Sequence, residues 1–110
     1  MSLPRTFAAL GEPTRLAVVD LLRRSPLRSS DIADALAISR PATSRHLRVL
    51  REAGLVREQA VDDDARGRIY QLRRDHFTAL RGWLDQVEAF WSEQLAAFKA
   101  HAERNARRRR

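Results

Sequence analysis

The stretch from Ser29 to Gly54 leaves this 110-residue chain the fewest folding choices. Pro41 and Gly54 bracket its second half. Proline is tolerated in the first turn of a helix, where its missing N–H has no intrahelical partner. Glycine readily takes the left-handed conformation that ends one. Between them, Thr43, Leu47 and Leu50 fall at i, i+4 and i+7, the spacing of one buried stripe. Ser39 supplies a capping hydroxyl, and Arg40 sits at the boundary because a residue before proline is steered away from helical dihedrals. The sequence therefore predicts a helix from about Pro41 to Ala53. Just upstream, Ile32, Ala33 and Leu36 mark a shorter helix that Ser29 or Ser30 can cap, with Asp31 favouring its positive end. A tight break at Ala37-Ile38 separates the two.

The flanks add further elements. Leu3, Phe7 and Leu10 share a side of a short first helix that Gly11 interrupts. Pro13 opens a second, with Leu16, Val19 and Leu22 as its stripe, widened by Val18 and Leu21, and Ser25-Pro26 ends it. After Gly54, Leu55 to Val61 and Arg68 to Arg73 read as two strands around the polar turn Asp62-Asp63-Asp64-Ala65-Arg66-Gly67. Asp75 caps a last helix from about His76 to Ala102. Leu80, Leu84, Val87, Trp91, Gln94 and Phe98 repeat along it at near-heptad spacing, widened by Trp83, Phe90 and Leu95. That is more apolar face than one small core covers. The class is mainly α with a small β-hairpin (α+β), with five helices.

Length suggests one domain, expected over residues 1–103, with residues 104–110 as a basic disordered tail. The absence of cysteine excludes disulfides and thiolate metal sites. No signal core or membrane span is legible, so no membrane partner is expected and the cytoplasm is the expected compartment. The net charge of +7 points to a polyanion, although Arg107 to Arg110 carry four of those charges. Distribution says more than the total. From Ala35 to Val49 there is no Asp or Glu, yet Arg40, Arg45 and Arg48 lie there, with Arg51 just beyond.

Two short helices joined by a tight turn, the second basic on its outward face, make a helix-turn-helix. The second helix fits the major groove of double-stranded DNA, with its N-terminal side chains at base edges. Arg40, Ala42, Ser44 and Arg45 occupy those positions, with Arg48 beyond. Ser39, Thr43 and His46 suit phosphates or packing, and Arg66 and Arg68 of the hairpin reach an adjacent groove or the backbone. Singly, each feature is ordinary: Arg45 and Arg48 fit a solvated face, and His46 fits a packed one. Their order lifts the reading. Ser44 and His46 are not a nucleophile–base pair, because i and i+2 diverge on a helix, and no glycine-rich phosphate loop occurs. No enzyme is expected.

The block Leu10-Gly11-Glu12-Pro13-Thr14-Arg15-Leu16 resembles the opening of the second helix in the ArsR family of bacterial repressors. Asp31 to Leu36, followed by Ile38 to Leu47, resembles its helix-turn-helix. Arg48-Val49-Leu50-Arg51-Glu52-Ala53-Gly54-Leu55-Val56 resembles the exit into its wing, and Gly67-Arg68-Ile69-Tyr70 the wing's return strand. The likeness covers nearly residues 5 to 100. It implies a winged helix-turn-helix in a homodimer that represses transcription from an inverted-repeat operator. The first and last helices would pair across that dimer, through Leu3, Phe7, Leu10, Trp83, Leu84, Val87, Phe90, Trp91, Leu95 and Phe98.

The family's metal-sensing patterns are missing. Leu27-Arg28-Ser29-Ser30-Asp31 holds no thiol, and Phe77 stands where a histidine would follow Asp75. His76 and His101 are separated by roughly 37 Å along one helix. No metal and no cofactor are expected. The effector stays open, and so does a role as an architectural or protein-interaction module.

Overall fold

The computed structural model describes residues 2–60 and 67–108. Arg66 and the aspartates Asp62 to Asp64 lie outside them. The elements run α1 (Leu3–Leu10), α2 (Pro13–Arg24), β1 (Leu27–Arg28), α3 (Ser29–Leu36), α4 (Arg40–Glu52), β2 (Val56–Ala60), β3 (Arg68–Leu72) and α5 (Arg74–Arg108). The chain divides into two compact units between Phe77 and Thr78.

The first unit is built on one core. Val18, Val19 and Leu22 of α2 meet Ile32 of α3, Leu47 and Leu50 of α4, and Leu55 and Val56 beyond the turn. Leu10, Tyr70, Leu72 and Phe77 close its edges. Truncating a fully buried leucine such as Leu50 to alanine removes packing worth about 2–5 kcal/mol. The α2 stripe is centred on Val18, Val19 and Leu22, so Val18 moves from its expected margin to the centre and Leu16 moves out. Val18 is buried, whereas Leu16 is 49% exposed, because the helix turns its Val18-Val19-Leu22 edge inward.

The sheet has three antiparallel strands in the order β1-β3-β2. The expected hairpin is β2 with β3, and Glu58 pairs with Tyr70 across it. The third strand was not expected. Leu27 pairs with Tyr70 and Arg28 with Ile69, a pairing of two residues and too short for any periodicity to reveal. Pro26 prepares it by holding Ser25 extended, at φ −166° and ψ 154°. The same pairing moves the start of α3. Arg28, not Ser29 or Ser30, occupies the cap position, and no side chain caps the helix.

Arg15 ties α2 to α1. Its Nε donates to the Ala9 carbonyl at 2.8 Å and its Nη2 to the Ala8 carbonyl at 3.3 Å, which satisfies acceptors left over at the α1 C-terminus. Thr6 and His76 tie α1 to the start of α5. The Thr6 hydroxyl donates to the Ser2 carbonyl at 2.9 Å, so its oxygen takes the proton on His76 Nε2, also at 2.9 Å.

From Thr78 to Arg108 the second unit is helix, and no side chain of α5 is buried. Leu84, Val87, Phe90, Trp91, Leu95 and Phe98 are each between 46% and 72% exposed. Trp83 is half-buried. The helix does not stop at Ala102. Residues 104–108 continue it, which corrects the expected disordered tail over that span. Alanine, glutamate and arginine favour helix there, and Arg107 and Arg108 complement the negative end of the helix dipole. No helix among the described residues is long and apolar enough to cross a membrane.

Candidate nucleic-acid interface

The turn between α3 and α4 sets the presentation of α4. Ala37 adopts the left-handed conformation, φ 53° and ψ 44°, and its N–H bonds back to the α3 carbonyls. The Ile38 N–H donates to the Ala33 carbonyl at 3.1 Å. Ser39 then caps α4 as the sequence requires. Its Oγ accepts from the Ala42 N–H at 3.2 Å, and its carbonyl accepts from the Thr43 hydroxyl at 2.9 Å.

Burial then sorts the α4 side chains. Thr43, Leu47 and Leu50 face the core. At 1% exposure and bonded to Ser39, Thr43 is scaffold, which corrects its assignment as a DNA contact. His46 is also turned away. Its Nδ1 lies 3.8 Å from Glu12 Oε2 at the start of α2, and its side chain is 22% exposed. That nitrogen is buried with no hydrogen-bond partner, so His46 packs against the α2 cap and does not stand with the exposed arginines. Glu12 itself accepts from the Arg15 N–H at 2.8 Å, and this bond chiefly holds its carboxyl below the usual carboxylate range. What remains outward is Arg40, Ser44, Arg45 and Arg48, all exposed, with Ala42 half-buried beside them.

The sheet places a second group of polar side chains next to this face. Glu58 on β2 forms an ion pair at Oε1 with Arg51 Nη1 of α4 at 2.9 Å and accepts a hydrogen bond there from Arg68 Nη1 of β3 at 3.2 Å. Its Oε2 accepts from the Tyr70 hydroxyl at 3.1 Å. Burial, and then this bond to a carboxylate, raises the Tyr70 hydroxyl above its ordinary pKa. Ser44, Leu47, Arg48, Arg51, Glu58, Arg68 and Tyr70 line a cleft of about 190 Å³ between α4 and the strands. Sequence reasoning singled out Arg68, counted Arg51 only in the local basic excess, and missed Glu58. A fixed strand register would have set Glu58 opposite Tyr70, but the turn that sets that register cannot be measured in sequence.

Among the described residues, no three His, Cys, Asp or Glu side chains gather as a metal site. His76 is committed to Thr6, and its imidazole is held below its ordinary pKa chiefly by burial, with Arg73 adding to it. Asp75 is held low by its bond from Arg73.

An exposed basic helix positioned by a helical turn, with a three-stranded wing beside it, defines a winged helix-turn-helix DNA-binding protein. The family described as bacterial regulatory protein, arsR family, matches residues 12–58, which run from the α2 cap into β2. The HTH-type transcriptional regulator Rv2034 of Mycobacterium tuberculosis is 38% identical over 94 residues, covering 86% of this chain and 82% of that protein. The transcriptional repressor SdpR of Bacillus subtilis is 38% identical over 50 residues, 46% of this chain and 56% of SdpR. An ArsR-like transcriptional regulator from Rhodococcus sp. RHA1 superposes with a TM-score of 0.78 at 32% identity, covering 92% of this chain and 90% of that one. The chain belongs to the ArsR family and is a DNA-binding transcriptional regulator.

Proposed function

We propose that this regulator is a homodimeric repressor that occupies an inverted-repeat operator in the cytoplasm and catalyses no reaction. The observation that carries the reading is the division of α4 into a buried stripe and an exposed arc of Arg40, Ser44, Arg45 and Arg48. Arginine can bond a guanine edge with two parallel hydrogen bonds, so Arg40 and Arg45 read bases, while Ser39, Arg48 and Arg68 hold the backbone. The absence of acidic residues from Ala35 to Val49 favours DNA over a protein partner. The name of the Bacillus subtilis relative supports repression over activation.

Dimerisation is supported by the exposed aromatic and aliphatic side chains of α5, since a helix carrying Phe90, Trp91 and Phe98 in water leaves a large apolar area uncovered. On this reading residues 1–103 hold both the DNA-binding and the dimer-forming surfaces. A two-fold dimer presents its α4 helices to half-sites roughly 34 Å or a multiple of that apart. Selecting bound genomic fragments with purified protein, followed by footprinting, tests the reading. An inverted repeat protected at moderate salt is expected. Binding without any protected site would overturn it in favour of an architectural or protein-interaction module.

A further inference from the structure

We infer that Glu58 is the positioning residue of a phosphate clamp, holding Arg51 of α4 and Arg68 of β3 so that one DNA backbone phosphate seats in the cleft between the recognition helix and the wing. The inference rests on the DNA-binding reading and extends it to three residues, Arg51, Glu58 and Tyr70, that the base-reading arc does not include. Glu58 is 26% exposed at the side chain, and two guanidinium groups and one hydroxyl, drawn from α4 and β3, converge on its carboxylate. Arg51 comes from the last turn of α4 and Arg68 from the start of β3, so the carboxylate pins helix to wing.

The pinned arginines keep most of their capacity. A guanidinium has five N–H donors, and each arginine directs one Nη1 to Glu58. Among the described residues no further partner is seen for the rest, and a guanidinium held in place loses less rotamer entropy on meeting phosphate. The cleft stays cationic, because Arg48, Arg51 and Arg68 line it against the one carboxylate of Glu58. Ser44 adds a hydroxyl donor on the helix side. A carboxylate on a DNA-facing surface would otherwise be expected to repel the ligand. Its half-buried place beneath two arginines and the Tyr70 hydroxyl points to an ordering role.

The two roles predict opposite signs. Glu58→Gln raises the net charge by one and removes the acceptor that orders both arginines. If Glu58 positions the clamp, the variant binds operator and random duplex roughly tenfold more weakly, the loss of about one charge-assisted contact, and the salt slope of binding becomes shallower by about one. Tyr70→Phe moves both in the same direction by less. Arg51→Ala weakens operator and random DNA alike. Circular dichroism of each variant secures that it is folded, and Arg51→Ala, on an exposed side chain, keeps the test open if Glu58→Gln is not. Tighter binding with a steeper slope in Glu58→Gln, or unchanged binding in Arg51→Ala, would overturn the clamp while wild-type binding still stands. Failure of the wild type to bind any duplex would remove the DNA reading itself and the clamp with it.

Discussion

The Thr6 hydroxyl and the His76 imidazole meet at 2.9 Å across 70 residues of sequence, and they join the first helix to the first turn of the last. Because the hydroxyl proton is given to Ser2, the imidazole must be the donor at Nε2. Its burial holds the pKa below the ordinary 6.5. As pH falls, the unfolded chain therefore takes up this proton first. Stability is full above pH 6.5 and drops as pH falls through 6.5 toward the lowered folded value. Urea midpoints between pH 7.5 and about 5 should fall, and in His76→Gln they should fall less steeply. An equal fall in the variant would place the titrating group elsewhere. Glu12 and Asp75, both held low, lose their contribution mainly as pH falls below the ordinary carboxylate values of 4.5 and 3.8, under most of this window.

Gly54 sits against the same imidazole. Its φ is +81°, and a Cβ built there would meet His76 Nδ1 at 3.0 Å and Cε1 at 3.1 Å. Two penalties coincide, a left-handed backbone carrying a side chain and a close approach to a ring fixed by Thr6. Gly54→Ala should lower unfolding free energy by about 1–3 kcal/mol in urea denaturation. A neutral result would show that the ring shifts freely.

Arg45 and Arg68 are both exposed and both cationic, yet they should behave differently. Arg45 stands exposed on the outward arc of α4, whereas Arg68 is held by Glu58. Arg45→Ala should cost roughly 1–3 kcal/mol on operator and relax base preference at one position, whereas Arg68→Ala should weaken every duplex alike. Competition binding against operator variants separates them. Equal loss on operator and random DNA in Arg45→Ala would remove it from base reading.

How much of this was legible in sequence follows from the range of the physics. Pro41, Gly54 and the Thr43-Leu47-Leu50 stripe are local signals, and they set α4 to within a residue or so. The β2–β3 pair was legible for the same reason, through Ile69 and Tyr70 and the polar turn before them. β1 was not, since its two residues become a strand only by pairing with β3. Leu16 shows the weakness of periodicity in a short helix. The expected stripe runs through Leu16, Val19 and Leu22 with Val18 and Leu21 widening it, and packing centres it on Val18, Val19 and Leu22. His46 and Glu58 were misread or missed because their partners, Glu12 and the Arg51–Arg68 pair, come from other elements. The exposed arc of α4 survived because a helix face needs no partner to be read.

The apolar side of α5 gives the last prediction. Trp91 is 63% exposed and Phe98 72%, on a helix that buries none of its side chains. Covering such a face in a dimer gains roughly 25 cal/mol per Å² of apolar surface, whereas a carboxylate placed there must be desolvated or keep the subunits apart. Trp91→Glu should therefore shift sedimentation equilibrium from dimer toward monomer. Far-ultraviolet helicity should fall in step, because an isolated helix of this kind draws most of its stability from packing. Operator affinity should fall by far more than affinity for a single half-site, since one subunit engages only one recognition helix at a time. A variant that stays dimeric, with unchanged operator binding, would place the dimer contact on another surface.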